Sequence, residues 1–324
     1  MSWTNLGVSS YAFSQGLHEL GNGVYAWLAP DGSWGWSNAG LVSDGSESLL
    51  VDTLFDLALT REMLGEMRKA EPAAAERIDA VVNTHANGDH CHGNQLVADA
   101  RIIASKAAAE EMNELPPAVM AQMTETLGSE DTPLGRFIQR AFGAFDFRGI
   151  ELTLPTETFE GELSVQVGAK RVDLIEVGPA HTRGDVLAYL PDQRVVFTGD
   201  ILFVEGTPII WEGPVSNWIA ACDRILAMEP EVIVPGHGPI TDERGVLAVK
   251  AYLEYLTIQA RERYEGGLSA LEAAKDIPLG EFSSWSDPER IVVNVQALYR
   301  EFSGKSEDED KVNQLVQMAE FHER

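Results

Sequence analysis

The chain has 324 residues, 44% of them hydrophobic, enough to fill a sizeable core in one large domain or two small ones. Its 51 acidic residues against 24 basic ones give a formal net charge of −27. No basic stripe offsets this, so nucleic acid and anionic membrane surfaces are excluded as partners. Two cysteines, Cys91 and Cys222, imply no disulfide framework, and no apolar stretch reaches membrane-spanning length. Residues 1–6 show neither a basic start nor an apolar run, so a cytoplasmic protein acting on a small molecule is expected.

Residues 23–28 and 36–42 read as strands, with turn signals at Asp31-Gly32 and Asp44-Gly45. Residues 48–53 form a buried strand ending on an acid, Asp52. From 55 to 70 the period becomes helical, with Leu57, Met63, Leu64 and Met67 on one face. A short apolar strand at 78–83 follows, then another at 100–104. Helices at 106–115, 117–127 and 133–145 interrupt the strand rhythm as an insertion over about 105–148. Its apolar residues, among them Met120, Met123, Phe137 and Phe142, make a lid or pocket wall, or else plain core or a dimer face. Strands return at 152–154, 163–167 and 171–177, then as a hairpin of 186–190 and 194–198 with Pro191-Asp192 in its turn. A helix at 215–228, a strand at 231–234 and helices at 244–265, 269–275 and 288–302 complete the body, the last opening on Pro288. The reading is a single domain over 1–304, followed by a charged linker and a loosely attached terminal helix over 305–324. The 288–302 helix is the candidate face for a homodimer.

The chemistry concentrates after the 78–83 strand. Residues 85–92 hold His85, Asn87, Asp89, His90 and His92, three imidazoles in eight positions from a chain with seven histidines. The bland alternative is a polar loop with incidental histidines. Imidazole and carboxylate at a strand exit are donors that suit zinc, manganese or iron. Further polar residues stand at later strand exits, flanked by glycine or proline: His181 in Gly178-Pro179-Ala180-His181, Asp200 after Gly199, and His237 in Pro235-Gly236-His237-Gly238. Strand exits cluster on one edge of a sheet, so these groups can converge.

Over roughly residues 20–245 the sequence resembles the metallo-β-lactamase superfamily. The family loop His-x-His-x-Asp-His corresponds to His85-Ala86-Asn87-Gly88-Asp89-His90, and the later His, bridging Asp and final His match His181, Asp200 and His237. The resemblance implies an α/β fold, an αβ/βα four-layer sandwich of two mixed sheets with outer helices and a metal site at one edge. It implies one ion on His85 and His181, a second on Asp89, His90 and His237, and Asp200 bridging. Asn87 departs from the family pattern, and an amide is a poor ligand beside imidazole, so the first ion is held more weakly or one ion alone is used. Asn87 then orients water or substrate. His92 is a substitute ligand, a proton shuttle, a residue supporting the ligands, or packing. Cys91 is a thiolate ligand or an inert buried thiol.

The chemistry so implied is hydrolysis by a metal-bound hydroxide, with Asp89 binding metal or accepting a proton, on an ester, thioester, lactone or amide. Arg183 either grips a substrate anion or pairs with acids. Phe203, Trp211 and Trp218 line an apolar pocket or belong to the core. Similarity to hydrolytic dehalogenases of the superfamily offers a haloaromatic substrate as an alternative. A di-iron redox protein and a non-enzymatic binding protein are the others, and Asn87 and the lack of a flavin segment weigh against the redox form.

Overall fold

The structure, a computed structural model, describes residues 3–304 and 311–323; the charged run at 306–310 lies outside them. Its strands form two mixed sheets. The first holds, side by side in chain order, β1 (Gly16–Gly21), β2 (Val24–Leu28), β3 (Ala39–Asp44), β4 (Glu47–Val51), β5 (Ala80–Val82), β6 (Arg101–Ser105) and β7 (Glu157–Phe159). The second holds β8 (Glu162–Val167), β9 (Lys170–Glu176), β10 (Val186–Leu190), β11 (Val195–Phe197) and β12 (Val232–Val234), ordered β12-β11-β10-β9-β8. Pairing in the first sheet changes from antiparallel to parallel after β4, and the second sheet is parallel only between β11 and β12.

Successive side chains of a strand point to opposite faces, and in β2, β3, β4, β10 and β11 both faces are largely buried. Val24, Ala26 and Leu28 meet Val172, Leu174, Val186 and Ala188 between the sheets. Tyr25, Trp27 and Leu50 face the other way, onto Met63, Leu64 and Met67 of the helix Leu57–Ala70. Leu187, Val196 and Ile233 likewise meet Trp218, Cys222 and Ile225 of the helix Val215–Ala227. The layers therefore run helix, sheet, sheet, helix, the sandwich that the resemblance implies.

Four particulars add to the sequence reading. Residues 152–154 are not a strand; pairing with β6 begins only at Glu157, once the Thr156 amide has donated to the Ile102 carbonyl. The edge strand β1 escaped notice because its half-exposed Gly-Leu-His-Glu-Leu-Gly carries little β propensity. In the helix Ile291–Ser303, the candidate dimer face, Val292, Val293, Val295 and Leu298 lie in the chain's own core. The terminal helix Lys311–His322 is not loose. Met318 and Ala319 are buried, and its Gln314 donates to Gln296 Oε1 at 3.1 Å.

Candidate metal centre

Every candidate ligand leaves the C-terminal end of a strand. β5 feeds His85 and the short helix Gly88–Cys91 that carries Asp89 and His90; β9 feeds His181, β11 feeds Asp200 and β12 feeds His237. The parallel pairs β4–β5 and β11–β12 put their exits on one edge. The approach of the β12 exit to the β11 exit requires a glycine. A Cβ on Gly236 would lie 2.0 Å from Asp200 Oδ1.

The groups converge. Asp200 Oδ1 is 3.1 Å from His90 Nε2, and Asp200 Oδ2 is 3.3 Å from His181 Nε2, 3.4 Å from His237 Nε2 and 3.7 Å from His85 Nε2. Asp89 Oδ2 is 3.3 Å from His237 Nε2 and 3.8 Å from His90 Nε2. Two groupings have the spacing of a metal site: His85, His90 and Asp200, and Asp89, His90 and His237. Asp200 sits among all four imidazoles, the central place that a bridging carboxylate would take.

Each imidazole is oriented from behind. His181 Nδ1 donates to the Ile209 carbonyl at 2.7 Å, and His237 Nδ1 to the Gly32 and Trp36 carbonyls, both at 3.1 Å. His90 Nδ1 donates to Asp52 Oδ2 at 2.9 Å. The Thr84 hydroxyl spends its one proton on Asp52 Oδ2 at 2.7 Å, so His85 Nδ1 is the donor in its 3.0 Å contact with Thr84 Oγ1. With every Nδ1 carrying a proton, every Nε2 turns inward as a potential ligand. Nε2 of His85, His90 and His181 and Oδ1 of Asp200 are buried without a hydrogen-bond partner. Buried polar atoms are rarely left so, and a divalent cation would satisfy this oxygen and nitrogen set.

The electrostatics agree. Burial pulls the His85 and His181 imidazoles below their ordinary range and keeps them neutral. For His90, burial is outweighed by Asp200, Asp89 and Asp52, and it is raised well above that range. His237 is likewise raised to about 9 by Asp200 and Asp89 against the effect of burial. Burial would raise Asp89, but His90 and His237 lower it to about 2. Without a cation, protons on His90 and His237 balance the carboxylates; a metal would replace them.

The remaining expected residues separate. Asn87, at the N-cap of the short helix, makes no capping bond and lines the cavity beside the centre. His92 belongs to neither metal grouping; its ring stacks on Phe55 at 5.6 Å, and burial lowers it to about 4. The Cys91 thiol is buried, raised by that burial, and lies 3.5 Å from the Ala86 carbonyl, so it is an inert thiol. Phe203 and Trp211 line the cavity, and Phe203 stacks on His237 with centroids 5.0 Å apart and planes 4° apart. Trp218 is core, its Nε1 donating to the Ile201 carbonyl. Arg183 is held by Glu111 and Glu114, and those glutamates line the cavity. The helical insertion forms a cavity wall through Met112, Met120, Met123 and Phe142. Sequence reasoning missed Asp52, whose only signal was an acid ending a strand, and Arg290, which gave none.

Fold and site together define a class. The chain belongs to the metallo-beta-lactamase superfamily, whose family model matches residues 32–237. It is 25% identical over 232 residues to the acyl-coenzyme A thioesterase MBLAC2 of Homo sapiens, covering 67% of this chain and 79% of that protein. It is 24% identical over 214 residues to a linear primary-alkylsulfatase of a Pseudomonas species, covering 59% of this chain but only 39% of the sulfatase. The solved sec-alkylsulfatase Pisa1 from Pseudomonas sp. shares the fold with a TM-score of 0.69 and 20% identity, over 92% of this chain and 52% of that one. No helix among the described residues is long and apolar enough to cross a membrane.

Proposed function

We propose that the chain is a metal-dependent hydrolase of a small apolar or aromatic molecule carrying an ester, thioester, lactone or amide bond. The observation that carries this reading is one cavity of about 280 Å³ with Asp89, His181, Asp200 and His237 on one side and Phe55, Phe142, Phe203 and Trp211 on others. Zinc is the ion that the donor set suits best, with manganese or iron as the other candidates. His85, His181 and Asp200 would hold one ion, and Asp89, His90, His237 and Asp200 a second. A bound divalent ion supplies Lewis-acid polarisation and lowers the pKa of water from about 15.7 to about 7.

The chain's own residues supply the rest. The Asp89 carboxylate, kept ionised beside His90 and His237, stays a hydrogen-bond acceptor that can orient the attacking water. The Asn87 amide, free of any capping duty, orients a polar atom of the substrate or its attacking water. His92 serves as a neutral imidazole on the aromatic wall and keeps that side of the cavity dry. Aromatic and methionine side chains exclude solvent from the reacting bond. The similarity to MBLAC2, an acyl-coenzyme A thioesterase, supports placing thioesters among the bonds tried.

The test is a panel of aryl esters, acyl thioesters and lactones assayed on purified protein of measured metal content. Between one and two ions per chain are expected, with activity lost on chelation and restored by zinc or manganese. Full activity in a metal-free preparation would overturn the reading.

A further inference from the structure

Six large apolar side chains are exposed among the described residues, and three of them line the cavity that holds the metal centre: Leu115 at 53%, Val119 at 44% and Val312 at 60%. Apolar residues exposed singly need no explanation, but half of them gathered at one opening do. Leu115 precedes the helix Pro117–Thr126, which carries Val119, and Val312 stands on the terminal helix Lys311–His322. Elements far apart in sequence thus bring apolar groups to the same mouth. None of the three is buried, so filling the core does not explain their character.

The cavity changes character with depth. Beside the metal centre its walls are aromatic and closed: Phe55, Phe142 and Phe203 are each no more than 7% exposed. On the two helices at the mouth its walls are aliphatic or thioether. Val119 and Met123, four residues apart, share one helix face, and Val312 and Leu315, three apart, share another. Methionine is unbranched and adapts its shape to what lies against it. The charged groups leave this path open. Glu111 and Glu114 are engaged with Arg183, and Arg290 with Asp287. Lys311 is exposed, so its ammonium keeps its water while its methylene stem extends the apolar wall. At about 280 Å³ the cavity is small beside the roughly 300–1,000 Å³ of most ligand pockets. A reacting group and a short body fill it, and anything longer leaves over Leu115, Val119 and Val312.

We propose that this mouth is a subsite for an unbranched alkyl chain: the reacting group of the substrate sits at the metal centre and its tail runs outward across Leu115, Val119 and Val312. This rests on the cavity being the substrate site and narrows that reading to single-chain aliphatic molecules. A protein or bilayer surface would touch the rim alone, whereas a flexible chain occupies rim and cavity together. The exposed Glu114 and the net charge of −27 also oppose an anionic bilayer at this opening.

Equilibrium binding tests this without any turnover. Zinc-loaded full-length protein is titrated with 1-hexanol, 1-dodecanol and 1-adamantanol while the fluorescence of the cavity tryptophans, Trp34 and Trp211, is followed. The dodecanol should bind at least about thirtyfold more tightly than the hexanol, each of the added methylenes gaining part of the roughly fourfold that full burial gives. The triple variant Leu115→Ser, Val119→Ser, Val312→Ser changes exposed positions, which tolerate substitution. It should cut the dodecanol-to-hexanol ratio by at least about fivefold and weaken the compact adamantanol by less than about twofold. Equal affinity for the two linear alcohols in the parent overturns the proposal, as does a ratio that the triple variant leaves unmoved. An adamantanol loss as large as the dodecanol loss makes the rim a general part of the wall and overturns it too. So does binding to phosphatidylcholine vesicles, or self-association in sedimentation, that the variant abolishes while the alcohol ratio stays. Failure of the ester and thioester panel, by contrast, sinks the hydrolase reading and leaves the chain-length result standing.

Discussion

Asp52 Oδ2 lies 2.9 Å from His90 Nδ1 although 38 residues separate them, and the same carboxylate accepts the Thr84 amide and hydroxyl, each at 2.7 Å. One buried acid thus sets the ring of His90 directly and that of His85 through the Thr84 hydroxyl. Asp52→Asn would offer an amide N–H, or a weaker acceptor, where His90 needs a carboxylate. Metal affinity should fall by roughly 10- to 100-fold, the usual cost of losing such a supporting acceptor. Competition with a chromophoric chelator measures it; unchanged affinity would show that the orienting bond is dispensable.

Asn87→His tests the departure from the family loop. An added imidazole on the cavity wall that Asn87 shares with His181 should strengthen the weaker of two sites by at least about tenfold and move zinc content toward two per chain. Elemental analysis combined with calorimetric titration reads both quantities. If stoichiometry and affinities stay fixed, position 87 contributes nothing to metal binding.

Proton and metal compete at His237. Its folded, metal-free value of about 9 lies above the ordinary 6.5. In that state it therefore contributes stability that is fully present below about 6.5 and lost as pH rises through about 9. Asp89, lowered to about 2 from an ordinary 3.8, contributes above 3.8 and loses this only as pH falls through about 2. Metal binding has the opposite trend to His237, since the ion must displace the proton. Apparent zinc affinity should rise by at least about tenfold per pH unit between about 6 and 8. A flat profile would mean that the imidazoles are already neutral in the metal-free protein.

The terminal helix walls the cavity through Val312 and Leu315 while Met318 and Ala319 anchor it in the core. His322 adds a 3.3 Å contact to Glu289, the acid that also holds the Trp34 indole. A chain ending at Gly304 should keep its metal content but bind apolar ligands at least about tenfold more weakly, with a lower melting temperature from lost apolar burial. Atomic emission, fluorescence titration and a thermal scan separate the three effects. Unaltered ligand affinity would remove the helix from the binding wall.

The candidate ligands could be picked out because each stands where a strand stops, marked by glycine or proline that lets the chain turn. The groups behind it were not. Asp52 acquires meaning only when β4 lies against β5, and the carbonyls that orient His237 belong to Gly32 and Trp36, 205 and 201 residues away. The cavity draws on Trp34, Met120, Phe203, Arg290 and Leu315, which no local period links. The helix Ile291–Ser303 looked like a surface because its apolar residues had no visible partner, and the chain itself supplies that partner.

The capture of Arg183 by Glu111 and Glu114 has a consequence for how such a protein diversifies. Two single-codon exchanges, Glu111→Gln and Glu114→Gln, would free a guanidinium and strip both negative charges from the same wall. The cavity wall would then lie a short mutational walk from one that admits sulfates or carboxylates, with the candidate metal ligands untouched.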